Sequence, residues 1–305
     1  MSNQAEIEWV RRRLSQTPAP APGHADPQWT PLRSEFASRS YMEETHGGGK
    51  IEVVEAFDRR RAMTVGLPLA HSTSPPEMMP QAALGTSGLQ QITDTTGVPW
   101  RSICQLIIKR QNGVTAYGTG WIAGPNLLVT AGHCVLDHDN GGWASAISVV
   151  PGSNGAFPPP FKTWEASNVD AHPAWVNGAD THFDYGFIIL ADGTVGHQLG
   201  WFGFSVLPDS QVNGLLVNIA GYPRDQNKPA GTMWFNAGRI TDADQWFLDY
   251  LQETEAGESG APVFWHGENN QRVVVAVHAY HSGFGNKGLR VTKDMYDHIG
   301  HLRGF

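Results

Sequence analysis

The chain has 305 residues, of which 35 are glycine, 20 are proline and only 16% are charged. This composition is typical of turn-rich β proteins and argues against a helical fold. The formal net charge of −8 argues against nucleic acid as the main partner, because binding a polyanion needs a basic face. No apolar stretch approaches the roughly 20 residues that span a bilayer. We therefore expect no nucleic-acid partner and no membrane partner.

The first 88 residues differ from the rest. They include the Pro-rich stretch TPAPAPGHADPQWTP, and they end in STSPPEMMPQAALGTSG, whose composition is typical of an exposed, cleavable connector. The start, MSNQAEIEWVRRRLSQ, lacks the apolar run of a secretory signal peptide. We therefore predict a separate N-terminal segment over residues 1–88 and a folded domain over residues 89–305. The start by itself favours a cytoplasmic protein or leaderless export.

From about Leu89 the pattern is strongly β. Short apolar runs such as CQLIIKR, NLLVTAG, YGFIIL and RVVVAVHAY are bounded by Gly, Pro, Asn and Asp. Strands of this length and spacing predict a barrel or sandwich fold, here two barrels of about a hundred residues each. A final helix is predicted over Lys293–Leu302.

Three short stretches carry the chemistry. They are TAGHC with His133, FDYG with Asp184 and GESGAP with Ser259. Amide hydrolysis needs an activated nucleophile, a base that takes its proton and an acid that orients the base. We assign these roles to Ser259, His133 and Asp184 in that order. Asp180 and Asp170 are the alternatives for the orienting carboxylate.

The glycines beside Ser259 suggest how negative charge would be stabilised. Gly257 and Gly260 allow a tight turn, so that the N–H groups of Gly257 and Ser259 can point at one developing oxyanion. Residue 261 is Ala, so the stretch is not the Gly-x-Ser-x-Gly elbow of α/β-hydrolases.

The order His, Asp, Ser and the detail of these motifs resemble the chymotrypsin-like serine peptidases, in particular the glutamyl endopeptidase branch. Further similar segments are Gln91–Thr96, Gly221–Pro223 and Val277–Tyr280, and the likeness covers about residues 90–300. It implies an all-β fold of two six-stranded antiparallel barrels with a C-terminal helix. It also implies a serine endopeptidase that acts on protein or peptide substrates through an acyl-enzyme and without a cofactor.

The resemblance extends to substrate choice and processing. In that branch a His and a hydroxyl residue receive the substrate's Glu carboxylate, and by motif these are His278 and Thr254. His281 would also edge this pocket, which leaves Glu or Asp open. Residues 1–88 occupy the place of a propeptide removed by an activating protease, and the family suggests secretion. The alternatives are a protease with a non-acidic preference and a non-catalytic binding or regulatory module on the same fold.

Three further features have more than one interpretation. Glu258 could pair with a freed N terminus, with an arginine or with solvent. Cys104 and Cys134 could form a disulfide or remain two buried thiols. The polar turn Asp137–Asn140 has oxygen ligands suited to calcium, but it lacks the spacing of a known loop site, so we expect a solvated turn and no metal.

Overall fold

A computed structural model describes residues 88–224, 227–266, 271–282 and 285–303. Apart from Gly88, the predicted N-terminal segment lies outside the described residues. The boundary at residue 89 therefore stays a prediction.

The described residues form fifteen strands. Their bounds are β1 Gln90–Ile92, β2 Ile103–Arg110, β3 Thr115–Ile122, β4 Leu127–Ala131, β5 Leu136–Asp137, β6 Gly142–Pro151, β7 Trp164–Ala171, β8 Tyr185–Leu190, β9 Gly203–Phe204, β10 Leu216–Gly221, β11 Met233–Ala243, β12 Phe247–Tyr250, β13 Pro262–His266, β14 Arg272–Ser282 and β15 Gly285–Arg290. The α-helices are α1 Gly132–Val135, α2 Pro173–Gly178, α3 Val195–Leu199, α4 Asp209–Val212 and α5 Lys293–Arg303, with 3-10 turns at Trp100–Ser102 and Thr181–Phe183.

Two closed antiparallel barrels of six strands each make up the fold, as predicted. The first barrel has the strand order β2-β3-β4-β8-β7-β6 and is closed by pairing of β2 with β6. The second barrel has the order β11-β10-β13-β14-β15-β12 and is closed by pairing of β11 with β12. Three short strands lie outside these rings: β5 pairs with β6, β1 pairs with β11, and β9 adds a parallel pair to β14.

The strands of the first barrel that face the second are buried on both sides, because each contributes to two cores. In β4, Leu128 packs inside the first barrel, while Leu127 and Val129 pack into a core shared with the second barrel. Successive side chains of a strand point to opposite faces, so an uninterrupted apolar run is what such a position requires. The apolar run NLLVTAG reflects this double burial.

The C-terminal helix is confirmed as α5, which ends one residue beyond the predicted bound. It buries Met295 and Ile299, one helical turn apart, in the shared core. Its buried His298 contacts Asp170 of β7 at 3.1 Å. Among the described residues, no helix is long and apolar enough to cross a membrane.

Of the two alternatives for Cys104 and Cys134, the disulfide is wrong, because both residues are buried free thiols. Strand register explains why. Cys104 pairs with Gly120 of β3, whereas the thiol of Cys134 lies against Gly118, two residues along the same strand. Burial also raises the pKa of the Cys104 thiol well above its usual range, so this thiol stays protonated.

The same geometry predicts where a disulfide would form. An added Cβ at Gly118 would lie 2.8 Å from the Cys134 sulfur, so Gly118→Cys places a thiol within bonding reach. Closing this loop should raise the free energy of unfolding by about 3 kcal/mol. Thiol titration of the oxidised, denatured variant should find one free thiol. Three free thiols, or an equal rise in the free energy of unfolding in Gly118→Ser, would contradict the prediction.

Candidate active site

Pairing of β4 with β8 brings the first two motifs together. Ala131 lies opposite Tyr185 in this register, so the residues just after β4 meet the residue just before β8. Gly132 is required here, because an added Cβ would lie 2.8 Å from a carboxylate oxygen of Asp184. His133, the next residue, is thereby placed in contact with Asp184.

Asp184 is fully buried and is hydrogen-bonded from two sides. One carboxylate oxygen accepts the backbone N–H of His133 at 2.7 Å, and the other lies 2.8 Å from His133 Nδ1. That second oxygen also accepts the hydroxyl of Tyr280 at 2.6 Å, from the second barrel. The two alternatives have other partners, since Asp180 contacts His182 and Asp170 contacts His298.

The pKa of His133 reflects this environment. Burial, the largest single effect, lowers the pKa of the imidazole, but the negative charge of Asp184, the neighbouring Cys134 and the hydrogen bond to Asp184 together outweigh it and raise the pKa of His133 well above its usual value. The contact at Nδ1 fixes the ring orientation and leaves Nε2 for a reacting group.

Ser259 lies in a loop that Thr119 holds against the first barrel. The loop requires left-handed backbone at Gly257 and Gly260, with φ of 97° and 89°. Thr119 donates its N–H to the carbonyl of Ser259 and its hydroxyl to the carbonyl of Gly257, each at 2.9 Å. The Cys134 thiol, next to His133, lies 3.7 Å from the same Ser259 carbonyl. The loop of the second barrel is thereby fixed beside His133.

Two hydrogen-bond features of this loop bear on its chemistry. Among the described residues, the N–H groups of Gly257 and Ser259 donate to no protein acceptor, and both residues are half-buried. These amides are thus available to an oxygen from outside the protein. The described hydrogen bonds do not include one between Ser259 Oγ and His133; such contacts often tighten only when substrate binds.

The predicted pocket residues fall into two hydrogen-bonded groups. Buried His278 is hydrogen-bonded through Nδ1 to the hydroxyl of Tyr250 at 2.7 Å. Thr254 Oγ1 and His281 Nδ1 both contact the side-chain oxygen of Asn286, at 2.8 and 2.9 Å. Burial, with smaller contributions from His133 and His281, lowers the pKa of His278 to about 3, so its ring is neutral at pH 7.

Glu258 is fully buried, so the solvent-facing interpretation is wrong. One oxygen accepts the backbone N–H of Glu255 at 2.7 Å, while the other has no hydrogen-bond partner among the described residues. Burial is the largest cause that raises the pKa of Glu258 from 4.5 to about 8, and the hydrogen bond from the Glu255 backbone and, less strongly, the charge of Lys228 counteract it only partly. Within the described part of the chain, no arginine pairs with it.

The Asp137–Asn140 turn satisfies its own carboxylate. Asp137 accepts the backbone N–H groups of Asp139 and Asn140, each at 3.1 Å. Across residues 88–303 as described, no group of three or more His, Cys, Asp or Glu side chains could hold a metal ion.

Sequence reasoning missed three residues at this site: Thr119, Tyr250 and Tyr280. Tyr280 stands two positions from His278, yet a bulge in β14 places these residues opposite neighbouring residues of β15, Gly288 and Lys287. An alternating pattern cannot reveal such an extra residue. A buried tyrosine does need a partner for its hydroxyl, and that was the available signal.

Comparison with known proteins identifies the family. The family model for a trypsin-like peptidase domain matches residues 118–277. A Bacillus subtilis protein named extracellular metalloprotease is 36% identical over 73% of this chain and 70% of its own length. A glutamyl endopeptidase of Bacillus licheniformis is 33% identical over 72% of this chain and 68% of its own length.

A solved structure described as Glu endopeptidase in complex with MPD has the same fold. It superimposes with a TM-score of 0.63 at 24% identity, covering 72% of this chain and 99% of that one. The family match, the glutamyl endopeptidase relative and the two barrels agree with the resemblance read from the motifs. The chain therefore belongs to the trypsin-like serine peptidases and is a serine endopeptidase similar to glutamyl endopeptidases.

Proposed function

We propose that the chain hydrolyses peptide bonds after acidic residues, preferably Glu, with His133, Asp184 and Ser259 as its catalytic triad. The observation that carries the proposal is the buried Asp184 carboxylate, which holds His133 by two hydrogen bonds beside the Ser259 loop. A buried charge costs several kcal/mol unless donors compensate it, so this arrangement is typical of a site that needs the charge.

The mechanism follows from these contacts. His133 takes the proton of Ser259 as the hydroxyl oxygen attacks the substrate carbonyl, and Asp184 stabilises the imidazolium. The Gly257 and Ser259 N–H groups receive the oxyanion. His133 then gives its proton to the leaving amine, which departs and leaves an acyl-enzyme on Ser259. Water, deprotonated by His133, hydrolyses the ester and restores Ser259.

The acidic preference rests on His278 and its surroundings. With Tyr250 donating to Nδ1, the neutral ring of His278 carries its proton on Nε2, where it can donate to a substrate carboxylate. An arriving carboxylate also raises the pKa of the imidazole, so ring and substrate can form a charged pair. Thr254 and His281 both direct a donor at the side-chain oxygen of Asn286, and an arriving carboxylate would compete with that oxygen for these donors.

We further propose that residues 1–88 are a propeptide-like segment and that residues 89–305 are the protease domain. The support is Glu258, which precedes the nucleophile and has one buried oxygen without a partner among the described residues. A buried carboxylate in that condition is relieved by a new cation, and the ammonium of a freed N terminus is one. Cleavage by an activating protease would supply it.

The first prediction from the proposed function tests the reaction and its specificity. Ser259→Ala should lower kcat by about 10⁴-fold or more and should abolish fluorophosphonate labelling. A peptide library varied before the scissile bond should show Glu first and Asp second. Labelling of another serine, or no labelling in either cut or uncut chain, would contradict the triad; the latter outcome favours a non-catalytic module. Selection of a neutral residue would favour the non-acidic alternative.

The second prediction concerns Tyr280 as a positioning residue. Tyr280→Phe removes one donor from Asp184, so we expect kcat/KM to fall about tenfold. The remaining carboxylate charge should raise the pKa of His133 further, and the acid limb of the kcat/KM profile should move to higher pH. Tyr185→Phe is the matched control, because its hydroxyl donates at 2.7 Å to Asp294, outside the triad. Equal profiles for both variants would contradict the prediction.

The third prediction follows from the raised pKa of Glu258, which goes from 4.5 to about 8. Between these values the folded uncut chain keeps a proton that the unfolded chain has lost, so the free energy of unfolding falls as pH rises, by up to ~4 kcal/mol. Glu258→Gln should not show this loss. Denaturant unfolding at pH 5 and pH 8.5, in a Ser259→Ala background to prevent autolysis, measures it.

The processed enzyme provides the second arm of that test. N-terminal sequencing of active enzyme should find an end between about residue 77 and residue 90, within the connector. If its ammonium reaches Glu258, the pH-dependent loss of stability should be absent from the cut chain. Full activity of the uncut chain would contradict activation by cleavage. If the free energy of unfolding depended on pH in the same way in wild type and in Glu258→Gln, the raised pKa assigned to Glu258 would be contradicted.

A further inference from the structure

Arg224 lies along the loop that carries Ser259. It follows β10, and its backbone N–H donates to the carbonyl of Ala256 at 2.7 Å. An added Cβ at Gly257 would lie 2.8 Å from Arg224 Cγ. The side chain therefore packs directly beside Gly257, one of the two residues whose amides face the oxyanion in the proposed mechanism.

The guanidinium is held in place by a ring of the first barrel. Its central carbon lies 3.8 Å from the centroid of the Tyr117 ring, a close cation–π contact. Tyr117 precedes Gly118, and an added Cβ at Gly118 would be 3.5 Å from the carbonyl oxygen of Ser259. Arg224 and Tyr117 thus form a platform at one side of the nucleophile. We call this pair the Arg224–Tyr117 platform.

The charge of the platform is not neutralised by the protein around it, as far as the structure describes that protein. Arg224 is exposed, and among the described residues it pairs with no carboxylate. Of the two acids nearest Ser259 in the sequence of this loop, Glu255 is held by Lys228 in an ion pair and Glu258 is fully buried. An exposed guanidinium, fixed on a ring and without a carboxylate, is ready to bind one.

The direction of the substrate decides which of its residues meets this charge. His278, in the proposed specificity pocket, lies at the other end of the loop, where its carbonyl accepts the N–H of Gly260 at 2.7 Å. A substrate whose acidic side chain enters that pocket must pass over Ser259 and continue past Gly257. The residues after the scissile bond therefore extend toward the Arg224–Tyr117 platform.

We propose that Arg224 is a second specificity determinant, which selects an acidic residue at the first or second position after the scissile bond. The inference rests on the proposed function, because it takes the direction of the substrate from the pocket at His278. The enzyme would then favour substrates with clustered acidic residues, because it would bind one carboxylate on each side of the cleaved bond.

The size of the effect follows from exposure. A single solvent-exposed ion pair contributes up to about fivefold in binding, and salt screens it. We therefore expect kcat/KM to be about fivefold higher for a peptide with Asp on the leaving-group side than for the same peptide with the isosteric Asn. This ratio should decline toward one as salt rises from about 0.05 M to about 1 M.

The test uses the active enzyme, as obtained by processing of the full chain, and peptides with Glu fixed before the scissile bond. Asp and Asn are exchanged at the first position after the bond in one pair and at the second position in another pair. Arg224→Gln should reduce the Asp/Asn ratio to about one, and Arg224→Glu should invert it. Arg239→Gln is the matched control, because Arg239 is an exposed arginine of β11 that contacts only a backbone carbonyl, of Gly214, in the described structure.

Two outcomes would overturn the proposal: a wild-type Asp/Asn ratio of one at both positions, or an equal ratio in wild type and Arg224→Gln. The proposed function fails separately, through fluorophosphonate labelling away from Ser259 or through cleavage after neutral residues in the library. Tyr117→Leu provides a further check. Without its ring the guanidinium is less fixed, so the ratio should lie between those of wild type and Arg224→Gln.

Discussion

The buried carboxylate of Asp184 is the interaction on which the site depends. A charge without access to water is stable only when donors surround it, and here the donors come from both barrels. His133 supplies two contacts from the first barrel and Tyr280 supplies one from the second. His133 and Asp184 both belong to the first barrel, so the bond from Tyr280 is the one that forms only when the two barrels are docked. The same contacts that compensate the charge also set the orientation and raised pKa of His133.

The seam between the barrels is fixed by close approach as well as by charge. At Gly260 an added Cβ would lie 2.1 Å from the carbonyl oxygen of Thr119, so only glycine allows the loop to rest on β3. Thr119 then holds the loop by its backbone and its hydroxyl. Glycines in the motifs around His133 and Ser259 thus serve packing between elements. The resulting position leaves the amides at Gly257 and Ser259 without protein acceptors among the described residues.

The sequence predicted the barrels, the C-terminal helix and the residues that meet at the seam, because apolar strand runs and short motifs are local signals. It failed where the answer depends on register. Cys104 and Cys134 both belong to the first barrel, but they meet β3 at different residues. Cys104 lies opposite Gly120, whereas the thiol of Cys134 lies against Gly118. Tyr280 was missed for the same reason, since the bulge after His278 has no signature in an alternating pattern.

The partners of the buried and partly buried carboxylates show where the described structure leaves one of them unmatched. Asp170 is matched by His298, Asp184 by His133, and Asp294 by His172. Glu258 differs, because one of its oxygens has no partner in the described residues and burial keeps its pKa near 8. An unmatched carboxyl beside Ser259, the proposed nucleophile, raises the free energy of the state that contains it. A cation that reached Glu258 would lower that free energy and would stabilise the loop whose Gly257 and Ser259 amides receive the oxyanion in the proposed mechanism.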